Sequence, residues 1–558
     1  MRTSSNIERF MEFKVRGNLV DVHQGEIFAA EVSVADGRIT AIDQLDHAVE
    51  NYLLPGFVDS HIHVESSMLL PGQFARVAVT HGTVATVSDP HEIANVCGIE
   101  GIELMLRNAA QSKFKFCFGA PACVPATPFE TAGGRLDADA VAKLLADDRI
   151  GYLSEMMDFP GVLNRSTEVM KKIAAAAHNG KPVDGHAPGL RGDEAAAYFA
   201  AGITTDHECF TREEAEDKLA AGCKIAIREG SAARNFDALH SLIDDYPDAC
   251  MLCSDDKHPD EFLEGHINRL VVRAVANGLD RMNVLRVACV NPVEHYHLDV
   301  GLLRVGDQAD FIVTEDLTEF HILKTYLDGV LVADQGKSLL AVPPAETVNN
   351  FTATPIQPSQ LQVAASGTTI RVMQAIGGQL FTNQIQRPCR VQDGNVVADV
   401  ARDILKIVVV NRYKDASPAV AFASGFGLKS GAFASSVAHD SHNIVAIGTN
   451  DEDLSAAINA VINEQGGLSI SADGQTDVLP LPVAGLMSTD SCESVGKAYS
   501  KMDQRLKTEL GSSLRAPYMT LSFMALLVIP SLKLSDKGLF DSDKFEFVPL
   551  FVEEKPAK

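Results

Sequence analysis

The chain has 558 residues, of which 46% are hydrophobic and 22% charged, so it is long enough for several folded domains and too apolar for a largely disordered protein. Its formal net charge of −26 disfavours a polyanionic partner such as nucleic acid. The first ten residues contain no apolar signal-peptide core, and the ten cysteines show mostly unpaired spacing, so we expect a cytoplasmic protein.

Two local patterns in the sequence have simpler interpretations than a membrane span or a metal site. The most apolar stretch, residues 519–532, is too short to span a bilayer, so no membrane partner is expected. Cys250 and Cys253 form a CxxC pair inside a predicted strand, where residues three apart point to opposite faces. We interpret both as buried apolar residues rather than metal ligands.

The first fifty residues are typical of short antiparallel strands. Apolar and polar residues alternate in residues 13–21, 27–34 and 39–42, with glycines at the turns. Such a small sheet needs a partner, and the strand patterns at 301–313 and 324–333 are predicted to complete it. We therefore predict a small β-sandwich built from residues 1–54 and 301–345.

Between residues 55 and 300, short apolar segments alternate with helical segments, which is the pattern of a parallel β/α fold. The predicted strands cover residues 56–60, 83–88, 114–120, 151–154, 181–185, 203–206, 224–228 and 250–254, and helices are predicted at 104–112, 168–178, 193–201 and 212–220. Eight repeats favour a (β/α)8 TIM barrel. An open doubly wound sheet is the alternative, but no glycine-rich phosphate loop follows the first strand.

The rest of the chain is predicted to be a separate α/β domain. Prolines between residues 343 and 358 indicate a linker. Residues 360–558 then alternate strand patterns, as at 404–411 and 444–448, with helical patterns at 454–464 and 489–510.

Candidate metal ligands follow five of the predicted barrel strands, at the end where barrel active sites lie. They are His61, His63, Glu155, His186, His207 and Asp255. The first two are two residues apart on an extended chain, so both imidazoles point the same way. Four histidines and two carboxylates exceed the needs of one ion, which predicts two divalent ions with Glu155 as the bridging ligand. This donor set suits Mn²⁺ or Fe²⁺, and Zn²⁺ is also compatible.

Residues 54–63 (LPGFVDSHIH) resemble the opening of the amidohydrolase superfamily barrel. Further motifs resemble bacterial adenine deaminases over nearly the whole chain: VESSM at 64–68, SDPHEIAN at 88–95, VAHDSHN at 437–443, LPLPVAGLM at 479–487 and MTLSF at 519–523. The resemblance implies hydrolysis of the small molecule adenine to hypoxanthine and ammonia, by attack of a metal-bridging hydroxide on purine C6. Many superfamily members have a carboxylated lysine at the end of strand four, and Glu155 departs from that pattern. We also expect a homo-oligomer, a dimer.

The implied reaction needs groups that move protons. Asp255 is the candidate that takes the proton of the attacking water and passes it on. Glu92 is the candidate that protonates ring N1, although a carboxylate at a helix start is also a common structural feature. Glu208 is the reserve for that role, and His91 is a candidate for orienting the ring or a water.

Other polar residues have two interpretations each. Glu65, Ser66 and Ser67 follow the first ligand pair and are candidates for reading the purine edge, or form a turn with a helix cap. His439 and His442 form either a second metal site or, as we favour, a structural loop or active-site lid.

Two other functions remain open on the sequence. A dihydroorotase-like or hydantoinase-like cyclic amidase would share the metal ligands, but it would carry the strand-four lysine and has no place for the C-terminal domain. A non-catalytic scaffold on the same barrel would have lost ligands, whereas all six candidates are present.

Overall fold

The computed structural model describes residues 12–552 of the chain. The first ten residues, on which the expectation of no signal peptide depends, lie outside this range. Three groups of strands organise the described part: an outer sheet, a curled parallel sheet and a C-terminal sheet. Among the described residues, no helix is both long and apolar enough to cross a membrane.

The outer sheet combines the two segments that flank the curled sheet in sequence. Its strands are Phe13–Asp21, Glu26–Ala35, Arg38–Gln44, Tyr52–Pro55, Phe311–Thr314, Ile322–Leu327, Val330–Asp334 and Lys337–Ser338. Tyr52–Pro55 joins the segments, because it pairs in parallel with Phe13–Asp21 and antiparallel with Phe311–Thr314. Alternate residues such as Val32 and Val34 are buried, as the sequence pattern predicts. The sandwich packing of this unit stays a prediction.

Eight parallel strands form the curled sheet. They are Phe57–Ile62, Thr83–Ser88, Lys115–Ala120, Ile150–Met156, Val183–Gly185, Thr205–Asp206, Lys224–Arg228 and Cys250–Cys253. The Thr204 N–H donates to Val183 O at 2.8 Å and links the fifth strand to the sixth. The Asp255 N–H donates to His61 O at 2.9 Å, so the sheet curls until its last strand meets its first.

The predicted strands of this region agree with the structure apart from their ends. The second and seventh have the predicted bounds, and Cys250 and Cys253 are buried in the eighth. The fifth and sixth begin two residues later than predicted. The Lys181 N–H donates to Ala176 O at 3.0 Å, so residue 181 closes the preceding helix instead of opening a strand.

Helices connect these strands and cover the sheet. They are Pro71–Ala78, His91–Ala109, Ala138–Leu145, Phe159–Leu163, Thr167–His178, Gly192–Phe199, Arg212–Ala220, Phe236–Leu239, Leu242–Asp245, Pro259–Glu264, Ile267–Ala276, Arg281–Leu285 and Asn291–Tyr296. Arg212–Ala220 has the predicted bounds because Thr211 caps it, its side chain accepting from the Glu214 N–H. His91–Ala109 begins far before the predicted 104–112 and is interrupted at Gly98, whose φ is +59°.

The C-terminal part begins after residues 339–357, which have no regular secondary structure. Its strands are Val363–Ala364, Thr369–Ala375, Thr382–Pro388, Arg390–Gln392, Asn395–Val397, Leu405–Val410, Ala419–Ser424, Ala432–Ser435, Ile444–Gly448, Gly467–Ala472, Gln475–Pro480, Leu532–Ser535, Gly538–Asp541 and Glu546–Phe547. Its helices are Asp451–Asn463, Cys492–Thr508 and Pro517–Phe523. Eight of the strands form one mixed sheet against which Asp451–Asn463 packs.

The C-terminal part packs onto the carboxyl ends of the curled sheet. The Ser488 N–H donates to Met68 O at 2.8 Å, directly after the turn that follows the first parallel strand. The Thr131 N–H donates to Asp536 Oδ1 at 2.9 Å on the other side. Loops of the C-terminal part therefore lie where the parallel strands end, which is where the candidate ligands were predicted.

Candidate metal centre and active site

His61 and His63 lie at the end of the first parallel strand and turn their rings to the same side. His61 is within the strand and His63 follows it directly. Their Nε2 atoms are 3.3 Å apart, and Asp89 O lies 3.1 Å from His63 Nδ1 and fixes that ring. Both rings are buried. The pair therefore presents two nitrogens to one point.

Asp255 completes this first group. Its Oδ1 atom lies 3.2 Å from His63 Nε2 and 3.6 Å from His61 Nε2. Its backbone φ is +53°, a strained conformation for an L residue that is common at functional sites. Three ligand atoms thus form a triangle at the junction of the first and eighth strands.

Glu155 lies at the centre of a second group. Its Oε2 atom is 2.8 Å from His186 Nδ1 and 3.3 Å from His207 Nε2. Its Oε1 atom is 3.4 Å from His63 Nε2, so one carboxylate faces both groups. Glu155 is the second-to-last residue of its strand, Ile150–Met156, rather than following the strand as predicted. The structure brings the side chains of all six predicted ligands together.

These separations fit metal binding. Ligand atoms about 2.0–2.2 Å from a shared ion stand about 2.8–3.6 Å from one another at octahedral to tetrahedral angles. The atoms of the triangle and of the Glu155 group lie 2.8–3.6 Å apart. A nitrogen and oxygen donor set without thiolate suits Mn²⁺, Fe²⁺ or Zn²⁺.

Electrostatics keep the carboxylates of the centre ionised. Burial alone would raise the pKa of Glu155, but the charge of His186 and hydrogen bonds from the surrounding imidazoles hold it well below its usual range. Burial likewise opposes ionisation of Asp255, whose pKa the Arg228 guanidinium and His61 hold well below its usual range. Ionised carboxylates are the form that binds cations.

Arg228 contacts the centre and is not among the site residues predicted from the sequence. It ends the seventh parallel strand, is buried, and donates from Nη1 to Asp255 Oδ2 at 2.7 Å. It also donates from Nη1 and Nη2 to the two oxygens of Glu208, the second bond being 3.0 Å. Its position as the last residue of a parallel strand was the available signal. Glu208, predicted as the reserve acid, is therefore engaged in an ion pair that lowers its pKa despite burial.

Glu92 lies in the first turn of His91–Ala109 and is held by three imidazoles. His439 Nδ1 is hydrogen-bonded to its Oε1 and His442 Nε2 to its Oε2, while His91 Nε2 lies 3.3 Å from Oε1. Burial opposes its ionisation, yet the charge of His439 and these neighbours hold its pKa well below the usual range. These surroundings favour carboxylate over carboxylic acid. The other ring nitrogen of His91, Nδ1, lies 2.9 Å from Asp89 Oδ2.

The three residues predicted to read the purine edge form a 3-10 turn, Val64–Ser67. Ser67 Oγ donates to Val64 O at 2.6 Å, which agrees with the alternative of a structural turn. Ser66 Oγ donates to Asp256 Oδ1 at 2.5 Å. Glu65 accepts from the Ile93 N–H at 3.2 Å, and burial raises its pKa to about 7. None of the three predicted residues lines the cavity described next.

A cavity of about 20 Å³ lies over the centre. Its lining combines residues of the parallel-strand ends, His63, His91, Glu92, Glu155, Met157, His186, His207, Glu208, Asp255 and Asp256, with C-terminal residues, Leu380, His439, Asp440, Phe523 and Leu526. We call Leu380, Phe523 and Leu526 the apolar roof. Lys533, buried with no carboxylate at salt-bridge distance among the described residues, donates from Nζ to Leu380 O at 2.8 Å and Phe523 O at 2.9 Å.

Family models match two parts of the chain. The amidohydrolase family matches residues 52–332, and the adenine deaminase C-terminal domain matches residues 379–546. A curated adenine deaminase from Salinibacter ruber is 56% identical over 97% of this chain and 99% of its own length. The chain belongs to the adenine deaminase family. Adenine deaminases from Methanosarcina barkeri and Borreliella burgdorferi are 51% and 47% identical, over 97% and 96% of this chain and 99% of each relative.

Family membership confirms the resemblance found in the sequence. The apolar roof and His439 lie within the residues that match the adenine deaminase C-terminal domain. The cavity is thus lined by both matched regions.

Proposed function

We propose that the protein hydrolyses adenine to hypoxanthine and ammonia at this centre. One observation carries the proposal: relatives named adenine deaminase match 96–97% of the chain at 47–56% identity, the Salinibacter ruber protein at 56%. The geometry supports it, because six ligand side chains converge beneath an apolar roof that suits a planar heterocycle.

The proposal includes two divalent ions, Mn²⁺ or Fe²⁺, with Zn²⁺ also compatible. His61, His63 and Asp255 would hold one ion, His186 and His207 the other, and Glu155 both. When bound, such a pair supplies a hydroxide at neutral pH. The (β/α)8 barrel over residues 55–300, flanked by the β-sandwich and a C-terminal α/β domain, is part of the same proposal.

Asp255 is the proposed proton acceptor for the attacking water. Arg228 occupies its Oδ2 at 2.7 Å, which leaves Oδ1 directed at the centre. Of the two protons of the water, one reaches ring N1 as oxygen adds to C6. Asp255 takes the other and gives it to the amino group, which departs as ammonia when the C6–N bond breaks and the C6=O bond of hypoxanthine forms. Arg228 keeps Asp255 ionised, so its Oδ1 is unprotonated before the reaction and can accept a proton, although the lowered pKa makes it a weaker base than a free carboxylate.

The cavity is smaller than a purine, so we propose that the apolar roof moves when adenine enters. Closure would then exclude water from the ring and strengthen polar contacts around it. Phe523 and Leu526 both belong to one C-terminal segment, residues 517–529.

The test is ammonia release by Mn²⁺-loaded protein from adenine, adenosine, cytosine and dihydroorotate. Turnover of adenine well above the other three is expected. No turnover of adenine beside clear turnover of dihydroorotate would contradict the proposal and favour a cyclic amidase. Well under one metal per chain, with no turnover of any compound, would favour a non-catalytic protein.

A further inference from the structure

His439 presents a buried ring nitrogen to the cavity with no protein group to bind it. Its Nδ1 is hydrogen-bonded to Glu92 Oε1, and its ring stacks on Phe523 with centroids 4.6 Å apart and planes 11° apart. Its Nε2 has no hydrogen-bond partner among residues 12–552. An unpaired polar atom in a buried cavity is costly unless a ligand or water satisfies it.

The nearest carboxylate does not fill this role. Asp256 Oδ1 lies 3.8 Å from His439 Nε2, beyond hydrogen-bond distance. That oxygen already accepts from Ser66 Oγ at 2.5 Å. The free nitrogen is therefore available to a molecule in the cavity, which both His439 and Asp256 line.

The alternative of a second metal site, which would hold a third ion at Glu92, His439 and His442, conflicts with the hydrogen bonds. The Ala438 N–H donates to His442 Nδ1 at 3.1 Å, so Nδ1 carries no hydrogen. The proton of a neutral ring is then on Nε2, which donates it to Glu92 Oε2. A nitrogen that carries a proton cannot bind a metal, so His442 is a donor that holds Glu92.

Glu92 and His439 thus form a carboxylate–imidazole pair. In such pairs the carboxylate accepts from Nδ1–H and fixes the direction of the ring, while Nε2 faces the substrate. Burial opposes protonation of His439, but the charges of Glu92 and Asp256 raise its pKa to about 9, so Nε2 also carries a proton and can donate it to an acceptor nitrogen. His442 and His91 hold the carboxylate in turn, from the C-terminal part and from the same helix turn. The assembly joins side chains 347 residues apart in sequence.

We propose that His439 binds the substrate directly, with its Nε2 hydrogen-bonded to a ring nitrogen of the purine, and that Glu92 is its positioning residue. This inference rests on the proposed function. It assigns Glu92 a different role from the N1 proton donor expected from the sequence, because Glu92 accepts hydrogen bonds at both oxygens. It also makes the C-terminal part a contributor to substrate recognition.

The test compares the wild type with H439A, E92A and the H439A/E92A double variant. It measures kcat/KM for adenine, inhibition constants for 1-deaza-, 3-deaza- and 7-deazaadenine, and metal content. We expect H439A to lower kcat/KM for adenine by about 10- to 100-fold at unchanged metal content. For the analogue that lacks the contacted nitrogen, the inhibition constants of the wild type and H439A should agree within about threefold. For the other two analogues, the inhibition constant of H439A should be higher by the same factor of about 10 to 100.

E92A should show the same analogue pattern as H439A, and the double variant should be no worse than H439A, because both changes remove one contact. If H439A does not fold by circular dichroism, H439Q, which fills similar space, takes its place in the same comparison. His295→Gln is the matched control, since His295 is a half-buried histidine beside Thr204, at the opposite end of the sheet from the cavity.

Several results would overturn the inference. One is adenine turnover by H439A within threefold of the wild type, and another is equal weakening of all three analogues, which indicates a structural role. A third is a wild type with three metals per chain and an H439A variant with two. A wild type that releases no ammonia from adenine would instead contradict the proposed function itself.

Discussion

Replacing Arg228 by methionine is the sharpest test of how the centre is supported. Methionine has similar length and no charge, so R228M removes the guanidinium and keeps much of the packing. Arg228 and Glu208 are each only 1% exposed at the side chain, and Asp255 is 6% exposed. The substitution therefore leaves the carboxylates of Glu208 and Asp255 buried without their cationic partner.

The expected cost follows from these contacts. Arg228 donates three hydrogen bonds to two carboxylates. Breaking a buried ion pair by removing one partner costs about 3–5 kcal/mol, since the remaining charge stays desolvated. The imidazoles near Glu208 and Asp255 remain and compensate part of the loss, so we expect the free energy of unfolding to fall by about 3–5 kcal/mol rather than by the sum of three separate bonds.

The assay is urea unfolding of the metal-free protein at a fixed chelator concentration, followed by circular dichroism, because bound metal would stabilise the folded state by mass action. The double variant R228M/E208Q should recover at least about 1 kcal/mol relative to R228M, since it removes one stranded charge. Arg191→Met, at an exposed ion pair with Asp217, should leave the unfolding midpoint unchanged.

A decrease of less than about 1 kcal/mol in the free energy of unfolding of R228M would refute the reasoning, because removing one partner of a buried ion pair is more destabilising than that. The reasoning would also be refuted if the free energy of unfolding of R228M/E208Q fell by the sum of the losses measured for R228M and for E208Q separately. Either result would mean that Arg228 and Glu208 are not coupled as the structure has them.

Three further predictions concern the centre and its roof. Asp255→Asn should keep both metals by metal analysis while turnover of adenine collapses; activity within a few-fold of wild type would mean that Asp255 is not the proton acceptor. Chelation should abolish activity, and titration with Mn²⁺ should restore it at two equivalents per chain; recovery at one equivalent would contradict the shared role of Glu155. Burial lowers the pKa of Lys533 to about 7, below its unfolded value of about 10.4, so the unfolded state binds more protons between these values. The stability of the wild type relative to K533M in urea should therefore rise from pH 7 to pH 10, and a flat difference would contradict the lowered pKa.

The convergence of the six candidate metal ligands could be predicted because its signal is local. His61 and His63 are two residues apart on a strand, and the other ligands each follow a recognisable apolar segment. Parallel strands bring their carboxyl ends together, so strand order alone predicts that these side chains meet. The exact strand ends were less predictable, as Lys181 shows, because a helix-closing hydrogen bond competes with the sheet.

The support of those ligands could not be predicted in the same way. Arg228 is a cation, and a search for metal ligands passes over it, although it ends a parallel strand. The contact of Glu92 with His439 depends on how the C-terminal part packs over the parallel strands, and no spacing in the sequence encodes that. The roof residue Phe523 belongs to an apolar stretch whose composition fits any buried segment.

The outer sheet has a consequence for synthesis of the chain. When Tyr52–Pro55 is synthesised, its parallel partner Phe13–Asp21 already exists. Its antiparallel partner, Phe311–Thr314, is made roughly 250 residues later. During that interval a row of unpaired backbone groups faces outward, and such edges recruit other strands. We therefore expect this edge of the nascent protein to be open to pairing with other strands until residues 311–314 are made.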